Sequence, residues 1–176
     1  LLTRAEGFAK AGRNVLVFQP GKKEIGETVA TLQTKLGSGA LVLPLHGELD
    51  PAEQARCFAP APTGSVKVVV STNVAQTSVT IPDIDAVVDS GVERRIELVD
   101  GIEGLYLLPI SQADCAQRAG RAGRTKAGVY VLCSETGITE RPSFPTAEVL
   151  RSRLDQMVLR LAVQGFDAVA LKFFHQ

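Results

Sequence analysis

The segment Asn14-Val-Leu-Val-Phe-Gln-Pro-Gly21 is a short apolar run that ends at a Pro-Gly pair. Continuous apolar runs of this length, bounded by turn residues, are typical of strands that are buried on both faces. The same pattern predicts further strands over residues 41–45, 66–70 and 86–89.

Helical patterns separate these strands. Apolar residues recur at helical spacing from Ile25 to Leu36, and Gly37 supplies the stop. Asp50 as a cap and Pro51 in the first turn then open a second helix, which runs to Phe58. This alternation predicts an α/β fold: a parallel sheet with helices on both faces and with ligand sites at the carboxyl ends of its strands.

The second half of the chain departs from this alternation. Partial alternation over 92–99, the turn signal Asp100-Gly101 and an apolar return at 105–108 predict a β-hairpin that protrudes from the main sheet. Beyond it we expect a helix over 112–122, a strand over 129–132 and a final helix over 146–164 with a wide apolar stripe.

Length and composition restrict the class of protein. The chain has 176 residues, 45% hydrophobic and 22% charged, which is the composition of a folded domain and excludes disorder as the main state. Its formal net charge is zero, so any site for a polyanion must be local. The three cysteines have no close spacing, and neither a signal peptide nor a long apolar run occurs, which favours a reducing compartment, cytoplasmic or nuclear. Because the first residue is Leu1 and the only methionine is Met157, we expect a piece of a larger protein.

The segment Gln117-Arg-Ala-Gly-Arg-Ala-Gly-Arg124 concentrates positive charge beside small residues. On the predicted helix, Arg121 and Arg124 project from nearly the same face, and Arg118 belongs to the same row. Guanidinium groups held in this way suit a polyphosphate on which negative charge develops. The alternative is a solvated basic helix end, since surface arginines are common. The glycines favour a functional role, because each costs roughly 1 kcal/mol relative to alanine inside a helix and so indicates close approach by another surface.

The loops after the first three strands carry polar candidates for ligand binding. These are Gly21, Lys22, His46, Gly47, Thr72 and Asn73. The alternative is that the Thr and Asn side chains satisfy their own backbone. No Asp–His–Ser arrangement can be placed around His46, and Asp83 and Asp85 are most simply turn residues, so we expect neither a catalytic base nor a metal site.

Several of these segments together resemble a known family. Gln117–Arg124 resembles motif VI of the superfamily 2 helicases, in the form found in DEAH-box RNA helicases. Residues 71–81 resemble motif V and residues 16–25 resemble the motif IV region. Residues 43–49 resemble the segment between them, and residues 54–62 resemble the adenine-contacting stretch. Since order and spacing agree over roughly residues 12–166, the chain resembles the second RecA-like domain of a DEAH-type helicase.

The resemblance implies a nucleotide-facing set of residues. Gln117, Arg121 and Arg124 would face the γ-phosphate of ATP, with the two arginines acting as arginine fingers. Phe58 would stack on adenine, the alternative being a core residue at the end of its helix. Two hydroxyl residues, Ser78 and Thr80, would lie between the ATP and RNA surfaces, the alternative being local caps of a helical turn.

The resemblance also implies a nucleic-acid-facing set. Thr72 and Asn73 would bind phosphates of single-stranded RNA, with contacts nearby from Gly21, Lys22, His46 and Gly47. The sequence departs from the family pattern at three positions: Gln76 replaces the usual acidic residue, Pro82 replaces an Asp, and Pro20 replaces a Thr.

The resemblance implies that the chain has two parts. Residues 1–140 would form a RecA-like helicase C-terminal domain with its hairpin at about 91–109. Residues 141–176 would form a helical extension that begins a winged-helix region. The hairpin would act either as a strand-separating wedge or as a stabilising flap.

The sequence contains neither a G-x-x-x-x-G-K-[ST] segment nor an Asp-Glu-Ala-His segment. ATP and Mg²⁺ would therefore be bound mainly by a first RecA-like domain of the same polypeptide, and the chain alone would be inactive. The expected partners are single-stranded RNA and a helicase-activating protein, with no membrane. The alternatives are a DNA helicase domain of the same superfamily and a non-catalytic RecA-like scaffold.

Overall fold

A computed structural model of the chain describes residues 1–77, 80–123, 127–151, 153–168 and 170–171. The strands in this part are β1 Val15–Phe18, β2 Ala40–Leu45, β3 Val66–Ser71, β4 Ala86–Asp89, β5 Val92–Val99, β6 Ile102–Pro109 and β7 Val129–Leu132. The central sheet has five strands in the order β2-β3-β1-β4-β7, and every pairing in it is parallel. The predicted parallel α/β sheet is confirmed.

Helices flank and follow this sheet. Their bounds are α1 Leu2–Lys10, α2 Lys22–Leu36, α3 Pro51–Phe58, α4 Val74–Thr77, α5 Gln112–Ala119 and α6 Asp155–Val163. Short 3-10 turns occur at Gly37–Gly39, Ile138–Glu140 and Glu148–Leu150. Within the described ranges, no helix is both long and apolar enough to cross a membrane.

The strands are buried because alternate side chains pack on opposite faces of the sheet. On one face, Val17 of β1 belongs to a cluster with Ile25 of α2 and Ala5 of α1. On the other face, Leu16 of β1 belongs to a cluster with Cys57 of α3. Burial of each large aliphatic side chain contributes about 1.5–3 kcal/mol, so these two layers explain why the strands read as continuous apolar runs.

The strands β5 and β6 form a separate two-stranded sheet. Asp100 and Gly101 both have positive φ angles, of 51° and 77°, which is what a tight two-residue hairpin turn requires. The chain divides into two compact units: unit 1 contains Leu1–Arg94 and Leu107–Pro145, and unit 2 contains Arg95–Tyr106 with the segment that begins at Thr146. The boundary predicted between residues 140 and 141 stays a prediction.

Helices α1 and α6 differ from the sequence prediction. Helix α1 was not predicted; its buried residues include the small Ala5 and Ala9, which give only a weak periodic signal. The final helix begins at Asp155, so the predicted start at Thr146 is wrong. The reason is local to unit 2: the Arg151 guanidinium donates to the backbone carbonyls of Thr146 and Ile96, at 3.2 and 2.8 Å, in a stretch that is not α-helical.

A buried lysine connects the amino ends of the strands with helix α3. The Lys67 ammonium is fully buried, donates to the carbonyl of Ala59 at 2.6 Å and lies 2.6 Å from Oδ1 of Asp83. The other Asp83 oxygen accepts from the backbone N–H of Ala61 and from the Asn14 amide. Since Ala59 is the C-cap of α3, this network holds the end of α3 directly after Phe58.

Removing the ammonium should destabilise unit 1, because Asp83 and the Ala59 carbonyl would lose their partner. We expect Lys67→Met to lower the free energy of unfolding by about 3 kcal/mol in urea titrations. Lys35→Met is the matched control: Lys35 pairs with Glu6 at 2.9 Å on the surface, so its loss should change stability little.

The same pair predicts a dependence on pH. Burial acts to raise the pKa of Asp83, but the Lys67 ammonium and the backbone N–H of Ala61 outweigh it, so the pKa lies below its ordinary value. The stabilisation is therefore present above the ordinary Asp pKa of roughly 3.9 and is lost as the pH falls through the lowered pKa of the folded state. The stability gap between wild type and Lys67→Met should narrow on acidification, and a constant gap would contradict this assignment.

Candidate nucleotide and nucleic-acid interface

The carboxyl ends of three neighbouring strands meet at one edge of the sheet. The register pairs Ser71 with both Leu45 and Phe18, so β2, β3 and β1 end at the same level. Two backbone bonds extend the ladder past the strand ends: Gln19 N–H donates to Ser71 at 2.8 Å, and Thr72 N–H donates to Leu45 at 3.4 Å. The loops that carry the predicted nucleic-acid residues are therefore adjacent in space.

The Lys22 cation at this edge already has a partner. The Lys22 ammonium lies 2.6 Å from Oε2 of Glu48, and this bond lowers the pKa of the Glu48 carboxyl. Asn73 and Gly47 are exposed, whereas Thr72 is half-buried. An anionic ligand at this edge would therefore compete with Glu48 for Lys22.

His46 lies at the same edge, directly after β2. Its Nδ1 is buried and has no hydrogen-bond partner among the described residues. A buried polar atom of this kind is costly unless it is satisfied, so His46 has an unused hydrogen-bonding position at the predicted contact surface.

A second ion pair adjoins this edge. Arg94 donates to both carboxylate oxygens of Glu24 at 2.8 Å, which holds the pKa of Glu24 at about 2. Glu24 lies in the first turn of α2 and Arg94 lies at the start of β5. A Cβ added at Gly21 would collide with this Arg94 guanidinium, so the glycine leaves space for the pair beside the loop.

Arg118 is buried inside unit 1, so the predicted surface row that included it is wrong. Its Nε donates to Gln76 Oε1 at 2.9 Å and its Nη1 donates to Asp89 Oδ1 at 2.8 Å. The guanidinium also lies over the ring of Phe18, 4.7 Å from the centroid, and 4.0 Å from a Glu93 carboxylate oxygen. Arg118 is only 1% exposed, and its charge is balanced by these internal partners.

Helix α5 ends at Ala119, so the prediction that it continues to residue 122 is wrong. Arg121 N–H donates to Arg118 in a tight turn, and Gly123 has a φ angle of +77°. Gly123 N–H donates to the carbonyl of Ile84, just before β4, at 3.3 Å. Gly123 therefore serves to turn the chain, and Arg121 lies half-buried in this turn rather than on a helix.

Gln76 of α4 connects two elements of the site. Its Nε2 donates to Asp114 Oδ1 at 2.7 Å and to Gln117 Oε1 at 3.1 Å, both on α5. Burial acts to raise the pKa of Asp114, but bonds from Ser111 and Gln76 and the Arg118 charge hold it below its ordinary value. The Asp114 carboxylate also completes the capping box that begins α5 with Ser111.

Asp89 at the end of β4 connects several elements through hydrogen bonds. Its Oδ1 accepts from Arg118 and from the backbone N–H of Gly91, and its Oδ2 accepts from the Tyr130 hydroxyl at 2.9 Å. Burial and the Asp89 charge raise the pKa of Tyr130 well above its ordinary value, so the hydroxyl stays protonated and donates.

The remaining predicted residues are placed as follows. Phe58 is half-buried and packs on the same core cluster as Ala122 and Tyr130, so the core alternative for Phe58 is realised at least in part. Thr80 is exposed. Ser78 and Arg124 lie outside the described residues.

Among the residues that the structure describes, no group of three or more His, Cys, Asp or Glu side chains could hold a metal ion. Cys57, Cys115 and Cys133 are free thiols, and burial raises the pKa of Cys57.

Sequence reasoning missed the interior of this site. No role in the site was predicted for Asp89 or Asp114, Gln76 was noted only as a departure from a family pattern, and Arg118 was placed on the surface. A signal was present in Asp89, because a charged residue that ends an apolar strand needs a buried partner.

Comparisons with known proteins agree with this fold. Residues 2–126 match the family model described as the helicase conserved C-terminal domain. The chain therefore belongs to the helicase C-terminal domain family, in the class of α/β domains with a RecA-like parallel sheet.

Among curated proteins, the chain is similar to an ATP-dependent RNA helicase HrpA homolog of Haemophilus influenzae, with 35% identity over 96% of this chain and 13% of that protein. It is also similar to ATP-dependent RNA helicase DHX30 of Homo sapiens, with 36% identity over 90% of this chain and 14% of that protein. A solved structure of the Escherichia coli DEAH/RHA helicase HrpB superposes with a TM-score of 0.87 and 33% identity, over 93% of this chain and 22% of that one. The chain thus spans only a small part of the length of these relatives.

The Arg118 network predicts a graded loss of stability. Arg118→Met should lower the free energy of unfolding by about 3–5 kcal/mol, since it leaves the Asp89 carboxylate buried without its cation. Arg118→Lys keeps the charge but cannot reach Gln76 and Asp89 with a planar fork, so we expect an intermediate loss of about 1–3 kcal/mol. Urea unfolding checks the order, and equal losses for the two variants would contradict the fork geometry.

Proposed function

We propose that this chain acts as the second RecA-like domain of an ATP-dependent RNA helicase. It would supply Gln117, Arg121 and Arg124 to ATP that is held, with Mg²⁺, mainly by a first RecA-like domain of the same polypeptide. It would also grip single-stranded RNA at the carboxyl edge of β1, β2 and β3. The names of the relatives, which are ATP-dependent RNA helicases, support the choice of ATP and RNA.

One observation carries the proposal: a direct connection between the two predicted surfaces. Gln76 follows the Thr72-Asn73 loop by one helical turn, and it bonds both Gln117 and Arg118 of α5. A displacement of the RNA loop would therefore be transmitted to the segment that carries Gln117 and Arg121, because the intervening contacts are buried and satisfied.

The residues present fit a polyphosphate better than a metal ion. The last turn of α5 offers the Gln117 amide and the turn that follows offers the Arg121 guanidinium, whereas the described residues hold no group of carboxylates for Mg²⁺. When bound, Mg²⁺ would neutralise phosphate charge. This chain's own part is to place Gln117 and Arg121 against the charge that develops on the γ-phosphate oxygens, with Phe58 at the adenine.

ATP hydrolysis by the full-length polypeptide tests the nucleotide assignment. We expect turnover that single-stranded RNA stimulates, and that falls by about 10³ in Arg121→Ala or Arg124→Ala, because an arginine finger stabilises transition-state charge. Arg13→Ala is the control, since Arg13 lies over the Phe8 ring of α1.

Three outcomes of that assay contradict the proposal in different ways. No turnover in the folded, intact polypeptide favours a scaffold. Stimulation by single-stranded DNA but not by RNA favours a DNA helicase. If turnover survives both substitutions, the protein is an ATPase, but Arg121 and Arg124 are not arginine fingers.

RNA binding to the same polypeptide tests the contact edge. Lys22→Ala should weaken binding and reduce the salt slope by about 1, as expected for one phosphate contact. Glu48→Gln should strengthen binding, because it frees Lys22 from its partner and removes a negative charge. Lys23→Ala is the matched control: Lys23 is 82% exposed and lies 4.0 Å from Glu27 on α2. Fluorescence anisotropy over a range of salt concentrations measures all three, and equal effects of the Lys22 and Lys23 variants would remove Lys22 from the site.

A further inference from the structure

The buried amide of Gln76 can adopt only one orientation. Its oxygen faces Nε of Arg118, a group that can only donate, at 2.9 Å. Its nitrogen faces Oδ1 of Asp114 at 2.7 Å, and the lowered pKa of Asp114 keeps that carboxylate an acceptor. If the oxygen and nitrogen of Gln76 were exchanged, its NH₂ group would face the N–H donor of Arg118. Its oxygen would then face the carboxylate oxygen of Asp114, so neither hydrogen bond could form.

The orientation of Gln76 fixes that of Gln117. The Gln76 nitrogen has two hydrogens: one is donated to Asp114, and the other points to Gln117 at 3.1 Å. Only the oxygen of Gln117 can accept it. The Gln117 side chain is exposed, so its own amide N–H groups are the end that remains for a ligand.

We propose that Gln76 is a positioning residue that makes Gln117 a hydrogen-bond donor toward the nucleotide. This inference rests on the proposed function, in which Gln117 faces the γ-phosphate. In this orientation Gln117 donates to a phosphate oxygen, a bond that strengthens as negative charge develops there. Its oxygen already accepts from Gln76, so its N–H groups rather than its oxygen are turned toward the ligand.

A carboxylate at position 76 would reverse this arrangement. Glutamate can accept from Arg118 but has no hydrogen to donate, so Gln117 would have to turn its N–H groups inward and its oxygen outward. The new carboxylate would also face the one on Asp114, and like charges at that distance are unfavourable. Gln76→Glu is therefore a switch for the direction of Gln117, at a cost in stability.

Hydrogen exchange of side-chain amides tests the orientation without any enzyme assay. In the ¹⁵N-labelled chain, the NH₂ protons of Gln76 should exchange at least about tenfold more slowly than those of Gln117, since only the former are buried and bonded. In Gln76→Glu, the Gln117 protons should become the protected ones.

Gln112→Glu is the matched control for that measurement. Gln112 lies on the same helix and donates to the Arg141 carbonyl at 2.7 Å, away from the Gln76 contacts. It should leave the Gln117 protons unchanged. Protected Gln117 protons in the wild type, or no change in Gln76→Glu, would overturn the orientation.

ATP turnover by the full-length polypeptide tests the role. Gln117→Lys can only donate, and Gln117→Glu can only accept, so the lysine variant should retain at least roughly tenfold more turnover than the glutamate variant. A merely structural role ranks them in the opposite order, because glutamate keeps the bond from Gln76 and lysine loses it. Equal turnover, or the reverse order, overturns the donor role. If the wild type itself shows no turnover, the proposed function fails together with the nucleotide part of this inference, while the exchange measurement still decides the orientation.

Discussion

The buried ion pair between Arg118 and Asp89 is the interaction on which the site depends. Two charges that leave water incur a large desolvation cost, which is offset only when every remaining polar group is satisfied. Here Asp89 accepts from Arg118, Tyr130 and the Gly91 backbone, and Arg118 also donates to Gln76. Because this balance fails if any partner moves, the pair ties the end of β4 to α5, to β7 and to the start of the hairpin.

The hairpin base shows the same dependence on buried polar bonds. Arg141 is buried and donates to the carbonyls of Gly91 and Ile110, which lie before β5 and after β6. Gly91 has a φ angle of +73°, and a Cβ there would meet Arg141 and Leu132 at 2.7 Å. Only glycine therefore fits the turn between β4 and the hairpin, and the guanidinium adds to the backbone bond that Ile110 N–H donates to the Gly91 carbonyl.

The sequence was sufficient for the elements of the sheet, because buried parallel strands need uninterrupted apolar residues and so leave a plain pattern. β3 and β4 match their predicted ranges to within one residue. The prediction of α5 beyond Ala119 failed because Gly120 and Gly123 were taken as small helix residues. The role of Gly123 emerges only from a tertiary bond, which its N–H donates to Ile84, a residue far away in sequence.

The candidate site shows a different limit. Local patterns gave the positions of the loops at the carboxyl edge, since the topology of a parallel sheet determines where its strands end. They could not separate Arg118 from Arg121, because both lie in one short basic segment and only the three-dimensional fold assigns one to the interior. A motif gives the types of residue at a site, whereas the whole fold determines which of these residues are buried and which are exposed.

The chain has equal numbers of basic and acidic residues, and cations at the site are paired with carboxylates. At the carboxyl edge Lys22 is held by Glu48, and Arg94 is held by Glu24, so each positive group has a carboxylate beside it. Such an edge attracts a polyanion only weakly, because its positive charges are neutralised by neighbouring carboxylates. A phosphate can pair with one of these cations only by displacing the carboxylate that the cation already contacts. Exposed Lys22 can make that exchange readily, whereas the bidentate Arg94–Glu24 pair, which is less exposed, resists it. We therefore expect backbone and neutral polar groups, chiefly in the Thr72-Asn73 loop, to position a nucleic-acid strand, and Lys22 to add the part of the affinity that depends on salt.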